Sequence, residues 1–424
     1  MLSSMFDFIT ASPTAYQAVA ATVKILQAHG YQALSEGDAW HLDYGKKYYV
    51  TRNGSSLIAF HLPDQNFPGF LITAAHSDSP CFKVKENAEL RDSHYTRLSV
   101  EKYGGMLCST WMDRPLSIAG RVIVRTKQGI ESRLVDLKDP IALIPNLAIH
   151  MNRSANENSS FNAAVDMLPL TSGTTLKQQL ADRLSVSTEE ILSTDLFLYN
   201  PQPCIAWGEY ISAPRLDDLM CAYASLAALC EATPTGNAAV YCLFDNEETG
   251  SQSKQGAAST FLPDVLERIV AALGMDSLAY RQKITSSFLV SCDNAHANHP
   301  NHGEYADKNH SVYMNQGVVI KYHANQKYTT DAVSTAIFRL ICEKAGVPVQ
   351  YYANRADLPG GSTLGNISNT QVSLNSVDIG LAQLAMHSSY ETAGAKDVAD
   401  MISALKQFFQ STLSMHSDGS YTLH

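Results

Sequence analysis

The sequence predicts an α/β protein, a three-layer α/β/α domain around a central mixed, mainly parallel sheet, with a β-rich module inserted into it. Three observations carry that reading. Five short, nearly continuous apolar runs, FLITAA (70–75), AAVYCLF (238–244), SFLVSC (287–292), GVVIKY (317–322) and VDIGLA (377–382), suit strands buried on both faces. Helical patterns separate or follow these runs, which argues for strands joined by crossover helices. The stretch from about 86 to 206 breaks the pattern with shorter, more polar, alternating segments (RLSVEKY, GRVIVRT, ESRLVDL) and many turn formers. Because α/β signals flank it, that stretch reads as an insertion. The expected segments are 1–85, 86–206 and 207–424.

Taken in order, the chain opens with MLSSMFDFITASPTAYQ. Ser12 as N-cap, Pro13 at the first helical position and apolar residues through Val19, Val23 and Leu26 predict one helix that stops at Gly30. FLITAA then runs into His76, Ser77 and Asp78. In an extended segment, residues i and i+2 point the same way. Asp78 can therefore accept the second ring N–H of His76, the contact that fixes tautomer and basicity in metal sites. Alone, a histidine near a strand end is more often structural. After the β-rich module, a helix begins near Arg215 and continues through Leu219, Met220, Tyr223, Leu226 and Leu229, with Asp217 and Asp218 at its start. Acidic residues favour a first helical turn, so that pair by itself demands nothing more.

AAVYCLF ends in Asp245, Asn246, Glu247 and Glu248. Adjacent carboxylates repel, and desolvating them is costly unless a cation or a shared proton compensates. SFLVSC ends in Asp293, Asn294, Ala295 and His296, and GVVIKY carries Lys321. A helical pattern spans 330–345. VDIGLA leads through Gln383 to Met386 and His387, and a last helix runs from 395 to about 413.

Composition bounds the function. The 424 residues are 45% hydrophobic and 17% charged, as in soluble globular proteins. No window of 18 apolar residues suggests a membrane span, and the N-terminal stretch lacks the pattern of a secretory signal, so a cytoplasmic location is expected. The formal charge of −10 argues against nucleic acid or an anionic membrane as partner. The eight cysteines are scattered without a CxxC pair, which disfavours a disulfide framework or a cysteine zinc site. An acidic ligand would need a specific local cation.

Four of the five apolar runs end in residues that bind metals or titrate. Ligands of open α/β sheets gather beyond the carboxyl ends of the strands, so these ends can share a crevice. Two histidines with several carboxylates and no cysteine suit zinc, manganese or cobalt. That many carboxylates exceeds the needs of one ion and fits a pair roughly 3.5–4 Å apart.

Five motifs, HSDSP (76–80), RLDD (215–218), DNEETGS (245–251), SCDNAHANHPN (291–301) and AMHSSYE (385–391), resemble in this order the aspartyl aminopeptidases, which are co-catalytic dizinc exopeptidases. The resemblance spans the chain, and that family uses its intervening β module for dimerisation. It implies that Asp217 bridges two ions, that His76 and Asp293 complete one site, and that Glu248 and His387 complete the other. Asp78 then orients His76, and Glu247 is the general base. The resemblance also implies a cis peptide between Asp217 and Asp218. The family often carries Asn at the position of Asp218, which is assigned no role.

For substrate contact, the resemblance points to His296, Lys321 and Tyr328, with Lys321 as the local cation for an acidic N-terminal residue. His150 matches a histidine that the β module of a neighbouring subunit delivers into the site. The family often has another histidine four residues earlier, where this chain has Asn146. Dimers of the family build a tetrahedral dodecamer that admits peptides only. The implied activity is removal of N-terminal Asp or Glu from peptides by a pair of divalent ions, most simply zinc. The alternatives are a dinuclear aminopeptidase of neutral specificity, a carboxypeptidase or deacylase on the same metal pair, and a non-catalytic scaffold. Within the cluster His296, His299, His302, His310, a third metal site is not read: His302 and His310 belong to a polar loop, and His299 is structural. GGSTLG (360–365) lacks the GK[ST] ending of a phosphate loop, and no G-x-S-x-G nucleophile motif is present.

Overall fold

The computed structural model describes residues 1–157, 160–416 and 418–424. A nine-stranded sheet dominates. Across it run Gln32–Leu34, Lys47–Arg52, Ser56–His61, Ala238–Phe244, Phe70–His76, Phe288–Cys292, Asn375–Gly380, Val318–Tyr322 and Val349–Ala353. Five of its eight neighbour pairings are parallel and three antiparallel, so the sheet is mixed. All five apolar runs contribute strands to it. Phe70–His76 and Ala238–Phe244 have no exposed residue, as strands covered on both faces require.

Alternate residues of those strands enter two different cores. Leu71, Ala75, Ala239, Tyr241 and Leu243 pack with helices Leu216–Glu231, Ala332–Ala345 and Asp397–Gln410, and with the N-terminal helices. Phe70, Ile72, Ala74, Val240, Cys242 and Phe244 pack instead with Phe261, Leu262, Val265, Leu266 and Ile269 of the helix Phe261–Ala272. The two-residue side-chain period of a strand divides them this way.

The N-terminus departs from the expected single helix. Leu2–Thr10 is a helix of its own, burying Met5, Phe8 and Ile9. Ser12 belongs to its exit turn, donating its N–H to Ile9 O at 3.1 Å. The second helix is Ala15–Ala28, and its N-cap is Thr14 rather than Ser12. VDIGLA also divides. Asn375–Gly380 stays in the large sheet, while Ala382–Leu384 joins another. Gly380 permits this, since a Cβ there would stand only 2.0 Å from Asp293 O.

The β-rich stretch forms a seven-stranded sheet with its own core, ordered Gly129–Asp136, Ser117–Thr126, Ile191–Tyr199, Cys81–Arg91, Thr96–Tyr103, Leu170–Thr171 and Ala142–Leu143. Every neighbour pairing in it is antiparallel. Gln17 Nε2 joins it to the N-terminal helices by donating to Gly120 O and Val135 O, both at 2.9 Å. A five-stranded sheet (Ile205–Trp207, Tyr210–Ala213, Glu391–Gly394, Ala382–Leu384, Ala295–His296) ties the segments before Asp217, after Asp293 and around His387 together. No helix among the described residues is long and apolar enough to cross a membrane.

Candidate metal centre

Strand register builds the site. Phe244 pairs with His76 and Ser291 with Ala74 on parallel neighbours, so these strands release their following loops at one rim of the sheet. His76, buried at 1% exposure, turns Nδ1 toward Asp78, 3.1 Å from its carbonyl O and 3.4 Å from Oδ1. With the Nδ1 proton on that side, Nε2 keeps a free lone pair. That Nε2 lies 3.5 Å from Asp217 Oδ1.

Asp217 comes from the entry to Leu216–Glu231, where Arg215 is left-handed and Asp217 and Asp218 leave helical geometry. The Asp217–Asp218 peptide is cis. The other Asp217 oxygen, Oδ2, is 3.4 Å from His387 Nε2, which is in turn 3.4 Å from Glu248 Oε2. One carboxylate thus faces two imidazoles with its two different oxygens. Ligand atoms of His76, Asp217, Asp218 and Asp293 lie within 4.8 Å of one another. So do those of His76, Glu247 and Glu248, and those of Asp217, Glu248 and His387.

These residues fit metal ions. The N···O separations of 3.4–3.5 Å are long for hydrogen bonds. Two ligands bound tetrahedrally at zinc distances of about 2.0–2.1 Å stand about 3.3–3.4 Å apart. Asp217 Oδ1, Asp218 Oδ1 and Glu248 Oε1 are buried without a hydrogen-bond partner among the described residues. Electrostatics agree. Burial, reinforced by Asp293, Asp78 and Asp217, pushes Glu247 up to about 8. Burial and Asp217 likewise push Glu248 above the carboxylate range. Burial, with Asp217 and Asp378, raises Asp293 to about 6. Burial acts to raise Asp217 too, but His387 and His76 outweigh it and hold that carboxyl low. Carboxylates crowded out of water in this way are compensated by a bound cation or by a shared proton.

Around the cluster, Asp78 accepts the N–H groups of Glu247 and Glu248, each at 3.2 Å, and the Tyr103 O–H at 2.7 Å. Lys321 is 2% exposed. Its Nζ donates to Asp293 O at 2.8 Å and Asn294 O at 3.2 Å, over the buried ring of Tyr328. Burial acts to neutralise that amine, but Asp293, Tyr328 and Asp378 raise it above the ordinary lysine value. His296 is exposed, edge-on to Tyr352 at 6.2 Å. His150 lies in an exposed turn of the β module, outside the ligand groups that the described residues form.

Two contributors have no role in the sequence reading. Glu391 accepts Asp217 N–H on Oε2 at 3.0 Å and His387 N–H on Oε1 at 2.8 Å, bracketing two residues of the candidate ligand cluster. Its only sequence signal is the last letter of AMHSSYE. Tyr103 comes from the seven-stranded sheet, and nothing in its local sequence marks it.

The sequence model of the family described as aminopeptidase I zinc metalloprotease (M18) matches residues 8–409. The chain belongs to the M18 family. This M18 chain is 41% identical over 423 residues to a probable M18 family aminopeptidase 2 of Clostridium novyi (strain NT), covering 96% of this chain and 98% of that relative. Among solved structures it resembles a chain of the cryo-EM structure of the Ape4 and Nbr1 complex, with TM-score 0.93, 36% identity, and 96% and 85% of the two chains covered. It also resembles the mApe1 dodecamer of Saccharomyces cerevisiae, with TM-score 0.84, 29% identity, and 96% and 95% covered. An M18 zinc aminopeptidase, a hydrolase of peptide N-termini, accounts for the buried histidine–carboxylate cluster.

Proposed function

We propose that this M18 aminopeptidase removes N-terminal Asp and Glu from peptides at a dinuclear centre. In this reading His76 and Asp293 would hold one ion and Glu248 and His387 the other, with Asp217 shared between the two. Asp217 carries the argument, because each of its carboxylate oxygens faces a different histidine, at 3.5 and 3.4 Å. The same ligands suit manganese or cobalt, but the family description favours zinc. When bound, the ions would supply Lewis-acid polarisation of the scissile carbonyl and acidify the attacking water. Glu247 takes the proton from that water and returns it to the leaving amine. Asp78 holds the tautomer of His76 and, through two N–H bonds, the backbone of Glu247 and Glu248.

Acidic selectivity rests on Lys321. Two of its three protons go to carbonyls, leaving one for a substrate carboxylate, with Tyr328 and His296 as neighbouring contacts. Its depth favours a second reading, neutral specificity, in which Lys321 only braces the Asp293–Asn294 backbone. Turnover of N-terminal Asp, Glu, Leu and Ala amides, with and without chelator, separates the two. Acidic-selective turnover that chelator abolishes and zinc restores supports the first. Equal or better cleavage of Leu and Ala leaves the metal centre standing and removes the pocket. No cleavage with metals bound favours a scaffold.

The same proposal covers architecture and assembly. Residues 1–85 and 207–424 form a three-layer α/β/α catalytic domain, and 86–206 an inserted dimerisation domain. Dimers assemble into a dodecamer, with His150 entering a neighbouring subunit's site; the support is the likeness to the yeast dodecamer. All eight cysteines are free, which suits a cytoplasmic location.

A further inference from the structure

Tyr103 closes the strand Thr96–Tyr103 of the seven-stranded sheet, yet its hydroxyl ends in the metal centre. We propose that Tyr103 is a positioning residue for the base-bearing loop, holding Glu247 in place through Asp78 and Asn246. This inference rests on the proposed role of Glu247 and adds a second duty for the β module.

The donor count gives the chain of bonds a direction. Asn246 Oδ1 accepts from Ser253 Oγ and Gln255 Nε2, both at 2.7 Å, so its Nδ2 is the group facing Tyr103, at 2.8 Å. The Tyr103 oxygen accepts that bond. A phenol has one proton to give, and it goes to Asp78 Oδ2 at 2.7 Å. Asp78 then accepts Glu248 N–H on the same oxygen and Glu247 N–H on the other. The loop is thereby held by the carboxylate of Asp78, the residue whose carbonyl O meets His76 Nδ1 at 3.1 Å, and Tyr103 fixes where that carboxylate sits. Asp78 is 4% exposed, so water does not readily replace a lost partner.

The residues after Tyr103 point the same way. Gly104 has φ +75°, and a Cβ there would stand 3.0 Å from Glu248 Cβ and 3.2 Å from Glu248 O. Leu107 N–H donates to His387 O at 3.0 Å. One short segment of the module therefore touches Asp78, Asn246, Glu248 and His387. A sheet that only joined subunits would need none of these contacts.

Tyr103→Phe isolates the hydroxyl, because the ring keeps its edge-on contact with Phe197 at 5.5 Å. The test is steady-state kinetics on one acidic amide, with zinc per subunit and the solvent deuterium isotope effect measured alongside. The expected kcat falls about 10–100-fold, as for other lost outer contacts of metal sites. KM and zinc content hold, and the isotope effect on kcat rises because a misplaced base makes proton transfer more limiting. A kcat within about twofold of wild type overturns the inference. Zinc loss with full recovery in excess zinc overturns it too, since Tyr103 would then merely prop the ligands. If Tyr103→Phe fails to fold, Phe197→Leu leaves the hydroxyl but loosens its ring. The same pattern at smaller amplitude supports the proposal, and unchanged kinetics defeat it. Wild-type turnover is the control. An inactive, metal-loaded wild type defeats the aminopeptidase reading and this inference together, whereas an active wild type with an equally active Tyr103→Phe defeats this inference alone.

Discussion

Glu391 is buried and Glu247 partly buried near Asp217, and the proposed site gives them different work. Both oxygens of Glu391 are committed as acceptors, Oε2 to Asp217 N–H and Oε1 to His387 N–H and Gln383 Nε2. Glu391→Gln must present an NH₂ to one of those donors. The expected result is a 10–100-fold weaker hold on zinc, read by competition with a chromogenic chelator, with kcat returning as zinc is raised. Glu247, which the proposed ligand set does not use, should behave the opposite way. Glu247→Gln is expected to lower kcat by about 10²–10⁴-fold with zinc per subunit unchanged. Near-normal turnover would remove the base assignment. The sequence made the second residue readable and the first not, for a physical reason. Glu247 and Glu248 follow a buried strand, where unexplained carboxylates stand out. Glu391 acts on backbone N–H groups 174 and 4 residues away, and such bonds leave no spacing pattern in side chains.

At the scale of elements, buried strands were legible because burial on both faces forces continuous apolar runs, as in Phe70–His76. Short strands were not. Ala295–His296 and Ala382–Leu384 are two and three residues long, too short for periodicity, although they help bring Asp293 and His387 together. The helix Leu2–Thr10 carries no start signal: its N-cap is Met1, without a side-chain cap bond, and its first turn has no acidic residue. One strand carries a prediction of its own. His61, at the end of Ser56–His61, is 7% exposed and directly opposite Lys47. Burial and, next, the Lys47 charge lower its pKa to about 4. In the unfolded chain it titrates near 6.5. A depressed folded pKa means the unfolded state takes up the proton first, so stability present above pH 6.5 is lost as pH falls toward 4. Between pH 7.5 and 5 the wild type should lose about 1–2 kcal/mol that His61→Gln does not, solvent screening allowed for. Urea midpoints of both proteins at the two pH values measure this. Parallel pH slopes would remove His61 as the cause.

At the scale of the whole molecule, the β module presents an apolar surface around His150. Leu147, Ile149 and Met151, at alternate positions along the segment that carries it, are 56, 49 and 74% exposed. Clustered apolar exposure of this kind marks a surface that another molecule covers. Among the described residues, His150 itself belongs to none of the ligand groups within its own subunit. Assembly through this surface would carry it to a neighbour's Glu247, and a mixing experiment detects that exchange. His150→Ala and Glu247→Gln are each expected to be nearly inactive as pure proteins. Co-expressed, half of random dimers are mixed, and in each of these one site pairs an intact Glu247 with the partner's intact histidine. Activity should then recover to about a quarter of wild type, the share a two-fold dimer allows. If the histidine served its own subunit, every site in the mixture would lack one group or the other, and no activity would return. Full activity of His150→Ala alone would remove the residue from the site altogether. Light scattering on the same samples reports whether the dimers go on to form the dodecamer.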